Sequence, residues 1–479
     1  MCVFALKPIA AGQKMQTCFS EKLVMRLNSM AAAPFVCLLL LLSPMGVHAQ
    51  HLGREWAHRP IAVLLSAAMA LLVSVMVVYG IRQCVYALNR LFGSHRYLYA
   101  GIDQADWPQV SVFVAAHNEE KVIASCLESL LTSDYPKDRI TVVVVNDRSD
   151  DQTRQIVDTY ASRWPGRIQA FHRSNGKPGK AAALKDAMAY AKGDIAIVFD
   201  ADYTPSPALV RQLVAPFFDP EVGAVMGRVV PRNAGKNLLT RLLDMERSAG
   251  YQVDQQARMN LGTVPQYGGT VGGVRLSALQ AVGGWGVDVL AEDTDITFRL
   301  LIAGWKTVYN NTAACYEEVP EEWTVRLRQV QRWAKGHNQV LFKQAGALLR
   351  SPFVTTRERI DGLLLLHIFL MQPLLLMGWL MAMALYYLDA AETLTLFIPT
   401  SALMFYAAIG GFAAFLQIVY AVLVDGHRER IRLLPIQLLS FMGSLPTVSL
   451  ALVSCIKDSW TGQELVWHKT KRYQAKVAS

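Results

Sequence analysis

Long charge-free stretches alternate with a polar middle along this chain. Residues 61–81, 363–388, 393–424 and 433–456 contain no Asp, Glu, Lys or Arg. Each reaches the roughly 20 residues that carry a helix across the hydrocarbon core of a bilayer, whereas a buried core helix usually shows a shorter apolar run. The pattern predicts membrane-spanning helices at all four places. Between the first and second, from 104 to 350, it changes to short apolar runs separated by amphipathic segments. Runs at 110–115, 140–145, 168–171 and 195–199 read as buried strands, and 121–131, 152–163 and 181–192 as helices between them, the second opening just after Asp150 and Asp151 as candidate caps. Strands alternating with helices predict an α/β fold, a mostly parallel sheet covered on both faces.

The organisation that follows is a 1–60 amino-terminal segment, a transmembrane helix at 61–88, a domain at 104–350, transmembrane helices within 351–456 and a tail at 457–479. The first segment holds Arg26, an apolar run at 31–45 and small residues ending at Ala49, which suits a cleaved secretory signal or a first transmembrane helix equally. Hydrophobic residues make up 52% of the 479, and the mean hydropathy is +0.24, which excludes an ordinary soluble protein. The net charge of +9 has no dense basic run interleaved with aromatics behind it, so nucleic acid is not an expected partner, and membrane lipid and an anionic nucleotide are. Arg428, Arg430 and Arg432 mark the loop before the last span as cytoplasmic, which places the polar middle there too if the two preceding spans each cross once. The seven cysteines show no paired spacing, so neither disulfides nor a zinc site is indicated.

Open sheets of this class bind ligands outside the carboxyl ends of their strands. Those ends here read Ala116-His117-Asn118-Glu119, Asn146-Asp147-Arg148-Ser149 and Asp200-Ala201-Asp202. Two carboxylates leaving one buried strand suit a hard divalent cation, which takes one or two carboxylates from a protein and the rest of its shell from phosphate and water. Farther along lie Glu292-Asp293, at the start of a helical pattern, and Gln329, Arg332 and Trp333 on an amphipathic stretch at 325–342.

The ordered set Val110-Ser-Val-Phe-Val-Ala-Ala-His-Asn-Glu-Glu120, Asn146-Asp-Arg-Ser-Asp-Asp151, Gly179-Lys180-Ala-Ala-Ala-Leu184, Asp200-Ala-Asp202, Ala291-Glu-Asp293 and Gln329-x-x-Arg332-Trp333 resembles the family 2 glycosyltransferases. It is most similar to their processive membrane branch, the cellulose, hyaluronan and poly-N-acetylglucosamine synthases. Four positions depart from that pattern: Ala115 for a proline, Asn146 for an acidic residue, Arg148 for a glycine and Ala291 for a threonine.

The resemblance implies a GT-A domain inserted between transmembrane α-helices of the plasma (inner) membrane, with its catalytic face in the cytoplasm. It implies an inverting transfer from a UDP-sugar, UDP-N-acetylglucosamine or UDP-glucose, onto a growing polysaccharide, and leaves room for accessory export subunits. Asp202 would ligate Mg²⁺ or Mn²⁺ on the diphosphate; Asp147 and Asp200 would contact the uridine, with Lys180 near the phosphates. Asp293 is the candidate general base, with Glu292 and Asp295 as rivals, and its place at a helix start is expected to keep its pKa low. Trp333 would stack under the acceptor sugar while Gln329 and Arg332 help hold the diphosphate. Tyr267-Gly-Gly-Thr-Val-Gly-Gly273 leaves little room for side chains and suits a floor beneath that sugar, and His337 reads as a surface or interfacial histidine. Two rival readings remain, a lipid glycosyltransferase that adds one sugar to a ceramide or polyprenyl-phosphate acceptor and a non-catalytic membrane subunit.

Overall fold

An eight-stranded mixed sheet runs in the order β3-β2-β1-β4-β7-β6-β8-β5 and carries the polar middle of the chain. This is a computed structural model, and it describes residues 60–93, 106–388, 391–399, 402 and 412–461. The signal-like segment, apart from Pro60, and residues 462–479 of the tail lie outside the described residues. By their contacts the residues fall into two units, 1–94 with 377–414 and 95–376 with 415–479.

The second unit holds the sheet. Strands β1 (Val110–Ala116), β2 (Ile140–Asp147), β3 (Ile168–Arg173) and β4 (Ile195–Asp200) are parallel neighbours, as the apolar runs predict. Successive side chains of a strand point to opposite faces, so unbroken Val/Ile runs mean that both faces are covered. One face packs Val112, Val114, Ile197 and Phe199 against Ile123, Leu127 and Tyr135. The other packs Phe113, Val143, Val145 and Val198 against Leu184, Tyr267 and Trp285. Each fully buried aliphatic or aromatic side chain of this kind contributes about 1.5–3 kcal/mol. The covering helices are α2 (Ile123–Leu131), α3 (Thr153–Arg163) and α4 (Lys180–Ala187). The N-cap position of α3 is Gln152, not the Asp150 or Asp151 expected, although Asp151, one residue earlier, accepts from the Thr153 N–H at 3.0 Å.

Four strands were not legible as such: β5 (Thr204–Pro205), β6 (Val222–Pro231), β7 (Gly272–Arg275) and β8 (Lys306–Glu317). β7 lies antiparallel between β4 and β6, and β8 runs parallel to β6. Gly272 and Gly273 allow β7 to pass there, since a Cβ on either would stand 2.5 Å from the Val225 oxygen or 2.9 Å from Phe217. A helical run follows β6, with α5 (Leu209–Val214) before it: α6 (Leu238–Ser248), a π-helical segment Ala249–Gln255 and α7 (Gln256–Leu261). After β7 come α8 (Leu276–Ala281), α9 (Glu292–Ile302), α10 (Trp323–Arg350) and α11 (Thr356–Leu366).

α11 changes the membrane picture. Its Leu365 and Leu366 are buried with Phe298 and Leu348, in the core of the second unit. The charge-free stretch at 363–388 therefore begins inside a protein core, and the helix apolar and long enough to cross a membrane is Ile368–Tyr387, chiefly α12 (Met371–Tyr387). The others among the described residues are Pro60–Phe92, which is α1, and Arg428–Thr461, chiefly α14 (Leu434–Thr461). Of 393–424, residues 400, 401 and 403–411 lie outside the described residues, and the rest includes the shorter apolar helix α13 (Ala413–Val424).

In the second unit α14 packs Val448 and Ala451 on Ala334 of α10. The loop before α14 is tied to the helical run after β6: Asp425 accepts from Gln252 Nε2 at 2.7 Å and from the Ser248 hydroxyl, and Arg430 pairs with Asp244. In the first unit Ala70, Val73 and Val77 of α1 pack with Ile398 and Ala402.

Candidate active site

A cavity of about 940 Å³ opens at the carboxyl ends of β1, β2 and β4. Asp147, Lys180, Asp200, Asp202, Asp293, Gln329, Arg332 and Trp333 all line it, so the fold brings together every site residue that the sequence singles out.

Strand register builds the first half. Asp147 ends β2 beside Arg173 of β3, whose Nη1 donates to Asp147 Oδ1 at 3.0 Å. Arg148 donates from Nε to the same oxygen at 2.9 Å and from Nη2 to Oδ2 at 3.1 Å, and the Gly179 N–H reaches Oδ2 at 3.3 Å. The carboxylate thus organises the Arg148 turn and the start of α4. Gly179, at φ +113, turns the chain so that Lys180 opens α4 and reaches Asp200 Oδ1 at 2.5 Å. Burial alone would lower the Lys180 pKa, but the carboxylates of Asp200, Glu292 and Asp293 outweigh it and raise it, which keeps the ammonium charged. Asp202 is buried two residues on, near enough to Cys126 and Cys315 for its charge to act on their thiols, which burial, the larger cause, pushes up.

The second half is set by α9 and α10. Asp293 stands in the first turn of α9, its Oδ1 accepting from the Thr294 N–H at 2.7 Å. Burial raises its pKa from the ordinary aspartate value, opposed by that N–H and by the Lys180 and Arg332 cations. This corrects the expectation of a low value, because desolvation outweighs the helix start. Burial and then the Asp293 charge push Glu292 up to about 7. Asp295 is excluded from the cavity's lining: it is fully buried, its oxygens taken by Arg299 Nε at 2.7 Å and Gln344 Nε2 at 2.8 Å. Gly269, at φ +72, lies behind the base candidate, since a Cβ there would stand 3.1 Å from the Asp293 Cβ.

On α10, Gln329 accepts at 2.9 Å from Arg326 Nη1, and Arg326 also pairs with Glu246 of α6. The guanidinium carbons of Arg326 and Arg247 each lie 5.1 Å from the Trp333 ring centroid. His337 is not at the surface: it is 4% exposed, bonded at 2.8 Å to the Leu365 oxygen, and burial lowers its pKa to about 4, so it is a neutral wall of the cavity.

Sequence reasoning passed over Arg247, Tyr251 and Glu317, which also line the cavity. A signal was available. Asn237 and Thr240 form a capping box ahead of an apolar stripe of Leu239, Leu242, Leu243 and Met245, which announces α6 and places Glu246 and Arg247 at its end.

A half-open mixed sheet with an acidic turn after β4 and a carboxylate-bearing α9 defines the GT-A class of α/β enzymes. The model of the family described as "Glycosyltransferase like family 2" matches residues 108–336. The "Probable glycosyltransferase YdaM" of Bacillus subtilis (strain 168) is 32% identical over 378 residues, covering 76% of this chain and 87% of that protein. This chain belongs to glycosyltransferase family 2 and is a glycosyltransferase. "Glucomannan 4-beta-mannosyltransferase 7" of Arabidopsis thaliana is 31% identical over 259 residues, 52% of this chain but 46% of that protein. Among solved structures, the mannosyltransferase PcManGT from Pyrobaculum calidifontis in complex with GDP-Man and Mn²⁺ shares the fold at a TM-score of 0.55 and 22% identity, over 76% of this chain and 98% of that one.

Proposed function

We propose that this glycosyltransferase inverts the anomeric centre of a UDP-sugar, UDP-N-acetylglucosamine or UDP-glucose, and adds it in β linkage to a growing polysaccharide that leaves across the membrane. One observation carries the reading: the Asp200–Asp202 turn, the Asp293 carboxylate and the Trp333 indole face one cavity.

Asp202, buried at the end of the Asp200–Asp202 turn, fits a divalent ion, Mg²⁺ or Mn²⁺. Among the described residues no group of three or more His, Cys, Asp or Glu side chains is arranged to hold a metal ion by itself, so the diphosphate and water would complete the shell of an ion that takes one carboxylate here. The bound metal would neutralise charge growing on the leaving UDP. Lys180, held charged, and Arg332 add positive potential on the same side. Asp147 and Asp200 would bind the uridine, and Gln329 with Arg332 the diphosphate. Asp293 takes the proton of the acceptor hydroxyl as it attacks, for which its raised pKa is an advantage, because it makes the carboxylate a stronger base than an ordinary aspartate.

The catalytic unit would lie in the cytoplasm of a multi-pass protein of the plasma membrane. The basic loop carrying Arg428, Arg430 and Arg432 is expected to stay on that side, and Arg430 and Asp425 of that loop are bonded to the catalytic unit. One observation favours the second reading, a single transfer to a membrane lipid: Leu365, Ile368, Phe369 and Gln372, at the entry to the α12 span, form one wall of the cavity. The experiment incubates the full chain in lipid nanodiscs with radiolabelled UDP-N-acetylglucosamine, UDP-glucose and GDP-mannose, with Mn²⁺ or with chelator, and sizes the product. Metal-dependent long polymer from a UDP-sugar supports the proposal. A labelled lipid carrying one sugar overturns it in favour of the second reading, and use of GDP-mannose alone overturns the UDP-sugar donor.

A further inference from the structure

Three side chains in the cavity wall, Tyr203, Glu317 and Arg247, connect the acidic turn to the Trp333 indole. Tyr203 follows Asp202 directly, is buried, and donates its O–H to Glu317 Oε2 at 2.9 Å. Glu317 ends β8 and is buried as well; its other oxygen accepts from Arg247 Nε at 2.7 Å. The Arg247 guanidinium lies over the Trp333 ring, 5.1 Å from its centroid. These three and Trp333 all line the cavity. A second tie runs beside the first, since Glu246, the neighbour of Arg247, pairs with Arg326, which also approaches the indole and donates to Gln329.

Each link is directional. A carboxylate bonded through both oxygens fixes the plane and distance of the groups it joins, and a guanidinium gripped at Nε cannot turn its fork independently. Well-packed apolar residues would hold β8 against α6 equally well, so stability alone does not call for a buried ion pair here. What the charged set adds is a fixed geometry between the turn that carries Asp202 and the ring that is the acceptor platform.

We propose that Glu317 and Arg247 are positioning residues that hold the Trp333 indole in register with the Asp200–Asp202 turn, so that occupation of the donor site is felt at the acceptor platform through Tyr203, Glu317 and Arg247. This rests on the proposed transfer from a UDP-sugar. In this proposal Glu317 and Arg247 act through Trp333 and not on the reacting atoms.

The test labels the full chain in nanodiscs with 5-fluorotryptophan and identifies the Trp333 line in the fluorine NMR spectrum by its loss in Trp333→Phe. Without nucleotide, Glu317→Gln and Arg247→Lys are expected to move that line and leave the other tryptophan lines in place. Adding UDP with Mn²⁺ moves it in the wild type, and Tyr203→Phe, which removes one hydroxyl and is the mildest change, abolishes that movement. UDP affinity by calorimetry changes less than about threefold in all three variants, while sugar transfer falls about tenfold. A Trp333 line unmoved by Glu317→Gln in folded protein overturns the proposal, and so does movement of all tryptophan lines together, which would mark a structural role. If UDP fails to bind the wild type, the proposed donor is wrong, and the nucleotide-free spectra still decide the positioning role.

Discussion

Gly336 of α10 lies against the backbone immediately ahead of Glu292 and Asp293: a Cβ on Gly336 would stand 2.7 Å from the Ala291 nitrogen and 2.9 Å from the Ala291 Cβ. Gln339, one turn on, accepts at 2.9 Å from the Leu290 N–H. The helix that carries Gln329, Arg332 and Trp333 is therefore seated directly on the turn that carries the base candidate. A bare glycine at Gly336 and the small Ala291 make that approach possible.

Gly336→Ala is expected to lower turnover because it prises these two elements apart. Alanine gains about 1 kcal/mol in helix propensity, but overpacking a close backbone contact costs about 1–3 kcal/mol, so the clash wins. The melting temperature should fall and turnover drop about tenfold or more, with UDP affinity by calorimetry little changed. An unchanged turnover would mean that α10 can recede without disturbing Asp293.

Asp293→Asn removes the proton acceptor and keeps the shape. UDP binding should stay near normal while turnover at saturating donor falls about 10²-fold or more, the range associated with loss of a general base. Calorimetry beside initial rates separates these. A fall in UDP affinity with turnover intact would make Asp293 a donor contact and leave Glu292 as the remaining carboxylate of α9 that faces the cavity, since Asp295 is committed to Arg299 and Gln344.

The pair also predicts a pH dependence. Burial and Asp293 raise Glu292 to about 7, so from its ordinary pKa of 4.5 up to about 7 the folded protein holds a proton that the unfolded chain has released. Stability contributed by the protonated pair is complete below that window, declines as pH rises through it and is level above. Activity changes in the opposite sense, because a proton on the pair weakens the base: kcat/KM should fall as pH drops through about 7. Glu292→Gln should remove that step from the profile. A step that survives the substitution would belong to Asp293 itself.

Much of this was legible in the residues. The runs beginning at Val110, Ile140 and Ile195 could be read because a strand buried on both faces is apolar at most positions, the half-buried edge strand at Ile168 by its shorter apolar run, and the polar strand ends then pointed to the cavity. β7 could not be read, since Gly272 and Gly273 carry no hydrophobic pattern and are there for the space they leave. The apolar Leu363–Leu366 stretch read as membrane because composition does not separate a bilayer from a protein core, and only its packing on Phe298 and Leu348 does. The raised pKa of Asp293 and the two guanidiniums beside Trp333 arise from segments distant in the chain, so no local pattern could reveal them.

Trp333 separates an acceptor platform from a membrane anchor. The ring is already approached by Arg247 and Arg326, contacts of about 0.5–1 kcal/mol each at exposed sites and more when desolvated, so its position is fixed before any sugar arrives. If an acceptor ring also rests on it, Trp333→Ala should lose about 1–3 kcal/mol of positioning, by analogy with base stacking on aromatic side chains, and elongation should slow about tenfold or more. Trp333→Phe keeps an aromatic face for both the sugar and the cations and should retain part of the activity. An anchor would respond differently, because the three helices long and apolar enough to cross a membrane, Pro60–Phe92, Ile368–Tyr387 and Arg428–Thr461, would hold the protein in a bilayer without it. Product length from purified protein in nanodiscs, wild type beside both variants, decides the matter. Long polymer lost in Ala and partly kept in Phe supports the platform, whereas unchanged product in Trp333→Ala reduces the indole to packing against Arg247 and Arg326.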